Sequence, residues 1–180
     1  MKEGVNKMVK ATFTNLPATK KALVQSALLR EFSNYPLQKA QVARIVKDAG
    51  IARGAFYKYF DDLPDSYQYL YQCALKEIHA HLKIGPIFDP KLFYQSVVQF
   101  IEHTQSSKFA ELIKMHVLSN ESVVAKPFSN DASIELSPQN WSAMVLSHAT
   151  IHMVLENPRQ KKAVLSRFKA GLELLEKGAN

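Results

Sequence analysis

Three side chains of kinds that bind nucleic acids, Arg53, Tyr57 and Lys58, lie within one short stretch of the sequence. Phe56 and Phe60 share that stretch at helical spacing and predict the buried face of one short helix. On such a helix the three polar side chains point away from the core. Guanidinium, ammonium and phenol groups contact phosphate oxygens and base edges, so an exposed basic helix of this kind fits the major groove of duplex DNA.

A second short helix precedes this one, and the pair predicts a helix-turn-helix unit. Its apolar residues follow the i, i+3, i+4, i+7 rule of one helical face: Val42, Ile45, Val46 and Ala49. Gly50 follows directly, and glycine lets the chain turn sharply at little steric cost. The next helix is therefore expected to cross this one at a steep angle.

The remaining sequence predicts further helices and no strand. An earlier helix, which Thr19 could cap and Pro36 stops, carries an apolar stripe of Val24, Ala27, Leu28 and Phe32. The later helices are expected at 63–84, 90–105, 108–120, 138–156 and 158–177. We therefore expect an all-α fold, in which a three-helix N-terminal helix-turn-helix domain is followed by a helical bundle.

Three of the later helices are expected to begin with the same sequence pattern, an N-cap residue followed by proline at the first helical position. The pairs are Asp89-Pro90, Ser137-Pro138 and Asn157-Pro158, and Gln160 completes a variant capping box with Asn157.

The predicted domain organisation has three parts. A flexible basic arm covers residues 1–18, and the helix-turn-helix domain covers 19–62. A second helical domain covers 63–180, beginning with a long connecting helix at 63–84 that ends at Gly85-Pro86.

The net charge of +7 is unevenly distributed. Residues 1–60 hold eleven Lys and Arg against three acids, whereas residues 61–180 hold twelve against thirteen. Such an asymmetry indicates a polyanion partner, because phosphates attract Lys and Arg irrespective of sequence. A solvated basic surface that aids solubility is the alternative.

Other classes of protein find little support in the sequence. The single cysteine, Cys73, excludes an internal disulfide, and no apolar run has membrane-spanning length, so we expect a cytoplasmic protein without a membrane partner. His148 and His152 are spaced like paired ligands on a helix, but no supporting Cys cluster or His-Glu-x-x-His pattern accompanies them. We therefore expect no metal and no cofactor. Without a Gly-rich phosphate loop or a nucleophile elbow, we also expect no enzymatic activity.

The sequence Ala49-Gly50-Ile51-Ala52-Arg53-Gly54-Ala55-Phe56-Tyr57-Lys58-Tyr59-Phe60 resembles the DNA-binding domain of tetracycline-repressor-like (TetR-family) regulators. The family pattern runs Ala-Gly-[Val/Ile]-Ser-x-Gly-[Thr/Ser]-[Phe/Leu]-Tyr-x-[Tyr/His]-Phe. With its flanking helices the resemblance covers about residues 20–72. Beyond that range it is architectural only.

The resemblance implies DNA contacts for eight residues: Lys20, Lys21, Gln41, Arg53, Gly54, Ala55, Tyr57 and Lys58. Tyr57 and Lys58 would contact a backbone phosphate, whereas Arg53 and Ala55 lie where base edges are read. Gly54 would let the backbone approach DNA closely.

Two departures from the family pattern fall in the recognition helix or beside it. Ala52 stands where the family usually has Ser, so this helix loses a side-chain cap that is worth about 0.5–2 kcal/mol. Ala55 stands where Thr or Ser is common, which leaves a methyl group that could meet a thymine methyl.

Aromatic residues and methionines of the second domain could line an apolar pocket, and the resemblance implies that a small-molecule effector binds there. The candidate pocket residues are Phe100, His103, Met115, His116, Trp141, Met144 and His148. An ordinary core is the alternative interpretation.

The last two helices predict a helical hairpin, and two such hairpins can form a four-helix interface between subunits. The candidate interface residues are Ala143, Leu146, Ala149, Met153, Val164, Phe168 and Leu172. Packing within one subunit competes for several of them.

These patterns lead us to expect a homodimeric regulator that binds a double-stranded DNA operator, in which the resemblance implies ligand-responsive repression. The alternative is a helix-turn-helix protein that has lost DNA binding and acts as a protein-interaction module or co-regulator.

Overall fold

The computed structural model describes residues 9–78, 87–123 and 136–178, and every regular element in these ranges is helical. The all-α prediction is therefore confirmed for the described residues. The chain divides into two compact units, Met1–Lys76 with Glu111–Val124, and Glu77–Ala110 with Ala125–Asn180. Among the described helices, none is long and apolar enough to cross a membrane.

The first unit contains the predicted helix-turn-helix. Its helices are α1 (Ala11–Thr14), α2 (Ala18–Asn34), α3 (Val42–Ala49), α4 (Arg53–Tyr59) and most of α5 (Leu63–Ile78), with a 3₁₀ turn at Leu37–Lys39 before α3. The predicted continuation of α5 to residue 84, and the predicted hinge at Gly85-Pro86, lie outside the described residues.

The turn between α3 and α4 depends on Gly50, which adopts the left-handed conformation with φ of 63°. The backbone N–H of Gly50 donates to the carbonyl of Lys47 at 3.3 Å, and that of Ile51 donates to the carbonyl of Val46 at 3.0 Å. These two bonds satisfy the free carbonyls at the end of α3 in a Schellman arrangement. The sharp turn predicted from the sequence is therefore present, with glycine at the position that requires it.

The predicted flexible arm is wrong for residues 9–16, which pack against the helix-turn-helix. The side chain of Phe13 is only 1% exposed, and its ring lies 5.0 Å from that of Phe60 and 5.2 Å from that of Tyr69, measured between centroids. Burial of an aromatic ring is strongly favourable, which explains why this segment is held against the unit. The helix α2 begins at Ala18 with Pro17 as N-cap, so Thr19 is not its cap.

A segment distant in sequence also packs in the first unit. Helix α7 (Ala110–Met115) continues as one π-helical turn at His116–Asn120. The buried side chain of Asn120 accepts a hydrogen bond from the backbone N–H of Leu37 at 2.9 Å and donates to the hydroxyl of Tyr67 at 3.3 Å. The first unit is therefore larger than the helix-turn-helix domain predicted at 19–62, because buried polar contacts tie this later segment to it.

The second unit is built around α6 (Pro90–Ser106), α8 (Pro138–Glu156) and α9 (Lys161–Lys177), which pack against one another. The predicted N-caps at Asp89 and Ser137 are both confirmed by side-chain hydrogen bonds to the first turns of α6 and α8. The third predicted cap is wrong, because a 3₁₀ turn at Pro158–Gln160 intervenes and the side chain of Asn157 makes no capping bond.

Replacing Gly50 by alanine is expected to destabilise the protein by about 1 kcal/mol, since a side chain in the left-handed region costs roughly 1–2 kcal/mol and the stiffer unfolded chain offsets part of it. Gly54→Ala is the matched control. A Cβ atom at Gly54 would meet nothing within 4 Å, and alanine favours helix, so we expect about 0.5–1 kcal/mol of stabilisation there. Denaturant unfolding measures both changes, and equal effects of the two substitutions would contradict this account of the turn.

Candidate nucleic-acid interface

The inner face of α4 is fixed in an aromatic core. Phe56 and Phe60 are fully buried, and their ring centroids lie 5.3 Å apart. Phe60 also contacts the ring of Phe13 from the N-terminal segment and that of Tyr69 from α5, at 5.0 and 5.8 Å between centroids. Rings from two other elements therefore hold one side of this seven-residue helix.

The opposite face of α4 is open to solvent. Arg53, Gly54 and Lys58 are exposed, and Tyr57 is 41% exposed with its ring edge-on to that of Phe56. Ala55 is half-buried. The exposure predicted for Arg53, Tyr57 and Lys58 is thus found, whereas their contact with DNA stays a prediction.

The start of α4 lacks a side-chain cap, as the sequence predicts. Ala52 occupies the N-cap position with extended backbone, and no side chain accepts a bond from the first turn. The space around Gly54 is open within the described part of the chain, so the fold itself does not require glycine at this position. Glycine would be needed at this position only if another molecule approached the backbone closely, because glycine has no side chain to obstruct it.

An ion pair between the buried carboxylate of Glu31 and the partly exposed guanidinium of Arg44 joins α3 to α2. The carboxylate of Glu31, which is 4% exposed, accepts hydrogen bonds from Arg44 Nε at 2.8 Å and Arg44 Nη2 at 2.5 Å. It also accepts from the backbone N–H of Gln41 at 2.7 Å. The hydrogen bond to Glu31 raises the pKa of Arg44 above its ordinary value, and the guanidinium stacks 3.9 Å from the ring centroid of Tyr35.

Sequence reasoning missed this ion pair. The available signal was Glu31 itself, a carboxylate within the apolar stripe of α2 beside Phe32. A charge at such a position requires a partner, since burying an unpaired carboxylate is very unfavourable.

The other three predicted DNA contacts differ in their surroundings. Gln41 and Lys20 are exposed. Lys21 is half-buried, and its ammonium group donates to the carbonyl of Thr14 at 2.7 Å. Lys21 therefore already has a role within its own subunit, and all three contacts remain predictions.

The predicted pocket residues belong to two different units of the chain. Met115 and His116 belong to the first unit, whereas Phe100, His103, Trp141, Met144 and His148 belong to the second. Trp141 is 50% exposed and His148 is also exposed. A surface cavity of about 880 Å³ does exist in the second unit, but it lies between the start of α6 and the end of α9 and contains none of the seven.

The predicted dimer residues divide into two groups. Ala143, Val164, Phe168 and Leu172 are buried inside the second unit, because they form the packing between α6, α8 and α9; Phe168, for example, stacks on Tyr94. These four are therefore wrong as surface contacts.

The remaining three predicted dimer residues are accessible to different degrees. Leu146 is half-buried, and its Cδ1 atom would lie 3.4 Å from a Cβ atom placed on Gly171, whereas Ala149 and Met153 lie exposed on the outer face of α8. Trp141 and Val145 are exposed on the same helix, so its outer face is where the structure offers an apolar surface.

The comparisons with known proteins agree with this geometry. Residues 25–62 match the model of the bacterial regulatory proteins of the tetR family. A TetR family transcriptional regulator from Chloroflexus aurantiacus J-10-fl has a similar fold, with a TM-score of 0.60, 21% identity, and coverage of 95% of this chain and 98% of that one. A TetR regulator from Rhodococcus sp. RHA1 gives a TM-score of 0.51 and 15% identity over 90% and 99% of the two chains.

No curated protein matches the sequence. The family match covers the helix-turn-helix, which is therefore of the type found at the N-terminus of tetR-family regulators, and the chain as a whole shares the all-α fold of the two solved regulators.

The buried imidazole of His116 predicts a pH-dependent stability. Burial lowers its pKa from 6.5 to about 4, and its Nδ1 lies 2.9 Å from the hydroxyl of Tyr67. Above pH 6.5 both folded and unfolded forms carry a neutral ring. Between pH 6.5 and 4 only the unfolded chain takes up the proton, so stability falls as the pH is lowered, by up to about 3 kcal/mol. Below pH 4 this loss is complete.

His116→Gln tests this linkage, because glutamine keeps a polar side chain without titrating. The free energy of unfolding of both proteins is measured by denaturant titration from pH 7.5 to 4. Between pH 6.5 and 4 it should fall more steeply with decreasing pH in the wild type than in His116→Gln. Parallel curves would contradict the assignment.

Proposed function

We propose that this protein is a homodimeric, sequence-specific DNA-binding regulator of transcription whose helix α4 enters the major groove. The observation that carries the proposal is the two-sided character of α4. Phe56 and Phe60 are completely buried, and Arg53, Tyr57 and Lys58 are presented to solvent on the other side. Phosphate and base contacts need such a cationic, hydrogen-bonding face on a rigidly held helix.

The distribution of ion pairs in the first unit also supports DNA binding by the exposed face of α4. The cations Arg30, Arg44 and Lys10 each have a carboxylate partner within the first unit. Lys20, Arg53 and Lys58 have no acidic partner among the residues that the structure describes. Cations without internal partners are the ones that can release counterions from DNA on binding.

The outer face of α8 supports the homodimer. Within Pro138–Glu156 the only residue with a full charge is Glu156, at the end. Trp141, Val145, Ala149 and Met153 recur every four residues and are all exposed. A monomer would leave this apolar surface in water, whereas a second copy of the chain would cover it. Two paired subunits would offer α4 to half-sites roughly 34–36 Å apart.

We also propose that the protein represses transcription and responds to an apolar small-molecule effector. The ground for this part of the proposal is the family resemblance. The protein-interaction alternative draws on the missing cap at Ala52, which leaves the start of α4 less firmly held. The salt dependence of binding separates the two functions, because phosphate contacts make duplex affinity fall steeply with salt.

Arg53→Ala and Tyr57→Phe are expected to weaken binding to a duplex selected by the wild-type protein. The loss should be roughly 5- to 150-fold for Arg53 if it makes a bidentate base contact, and about 2- to 10-fold for the Tyr57 hydroxyl. Fluorescence anisotropy over a series of salt concentrations gives the affinities. Arg167→Ala, which removes an exposed arginine of α9, is the matched control and should bind like the wild type.

Two results would count against this assignment. Wild-type affinity in both α4 variants would show that this face does not read DNA. Wild-type binding that is insensitive to salt would favour the protein-interaction alternative.

Val145→Asp is expected to convert the dimer to a monomer, because it places a carboxylate in the apolar face of α8. Leu92→Asp is the control, since Leu92 is similarly exposed but lies on α6. Light scattering after size-exclusion chromatography measures the mass of each. A dimeric Val145→Asp protein, or a monomeric wild type, would refute the α8 interface.

A further inference from the structure

Residues 10–12 supply hydrogen-bond donors to the last carbonyls of α4. The ammonium group of Lys10 donates to the carbonyl of Tyr57 at 2.8 Å and to that of Phe60 at 3.4 Å. The backbone N–H of Lys10 donates to the carbonyl of Tyr59 at 3.4 Å. The hydroxyl of Thr12 donates to the carbonyl of Lys58. All four carbonyls from residue 57 to residue 60 therefore have a donor from the N-terminal segment.

These donors matter because α4 is short and, without them, both of its ends would lack side-chain partners. The last four carbonyls of a helix have no partner within it, and a helix of seven residues is far too short to be stable alone. Its N-terminal end has no side-chain cap, since Ala52 stands there. A cation near the C-terminal end is also favourable for the helix dipole.

The structure holds Lys10 firmly at this place. Phe13, one helical turn later, is buried against Tyr59 and Phe60, which anchors the segment. Asp61 lies just after α4, and its carboxylate pairs with the Lys10 ammonium at 2.9 Å. A buried ring on one side and a carboxylate on the other thus keep the ammonium over the end of the helix.

We propose that Lys10 is a positioning residue for DNA binding, which closes the C-terminal end of the recognition helix and so fixes Tyr57 and Lys58 for contact with phosphates. This proposal depends on the proposed function. It assigns Lys10 a role within the protein, in contrast to the exposed Lys20, whose expected role is a direct phosphate contact.

The experiment compares the full-length wild type with Lys10→Met, Lys10→Arg, Thr12→Val and Lys20→Met. Hydrogen exchange of the backbone amides in residues 53–60 reports how firmly α4 is closed. Binding to a duplex selected from a random pool by the wild type, measured over a series of salt concentrations, reports affinity and salt slope. Lys108→Met is the matched control, because it removes a lysine from an ion pair with Glu77 in the second unit.

We expect Lys10→Met to speed exchange in α4 about fivefold and to weaken DNA binding roughly five- to tenfold, with a salt slope close to that of the wild type. Lys10→Arg keeps a cation and donors and should recover most of both properties. Thr12→Val should show a smaller effect of the same kind. Lys20→Met should lower the salt slope by about 0.9 and leave exchange in α4 unchanged. Lys108→Met should match the wild type in both measurements.

Three outcomes overturn the proposal. If the wild type binds but Lys10→Met is unchanged in affinity, Lys10 does not position the helix. If Lys10→Met lowers the salt dependence of DNA affinity as much as Lys20→Met does, while amide hydrogen exchange in α4 is unchanged, Lys10 contacts phosphate directly. If the wild type enriches no duplex, the proposed function fails and the DNA role of Lys10 fails with it; exchange in α4 still shows whether Lys10 closes the helix.

Discussion

The burial of Phe56 and Phe60 is the constraint on which the interface depends. A helix of seven residues does not hold its shape alone, so its position comes from the two rings that its neighbours enclose. Because the rings are four residues apart, they define one side of the helix, and the other side must face water. The basic and phenolic groups of Arg53, Tyr57 and Lys58 are exposed as a consequence. The exposed basic face of α4 is thus a product of the core beneath it.

Two buried polar side chains place the other helix of the pair. Between α2 and α3 the backbone N–H of Leu37 bonds to Asn120, and that of Gln41 bonds to Glu31. Each contact satisfies a backbone group that would be costly to leave unpaired away from water. Asn120 comes from the π-helical turn after α7, so the orientation of the helix-turn-helix is connected to a segment far along the chain.

Features governed by short-range rules were predictable from the sequence. The turn at Gly50, the uncapped start of α4 at Ala52 and the cap of α6 at Asp89 follow from the local backbone and its nearest side chains. The docking of Phe13 and the contact of Asn120 were not predictable, since each joins residues more than forty positions apart. Periodicity also shows that a helix has an apolar stripe without showing which neighbour covers it. For that reason four predicted dimer residues proved to be core, and the predicted pocket residues fell into two units.

The central claim is that paired α4 helices read duplex DNA, and selection of bound duplexes from a random pool tests it most directly. The account predicts enrichment of an inverted repeat whose two half-sites lie about one helical turn apart. It further predicts that the enriched duplex displaces a bound duplex from the protein at far lower concentration than a random duplex of equal length does. A pool that stays random after repeated rounds, with the protein folded and dimeric, would contradict the account.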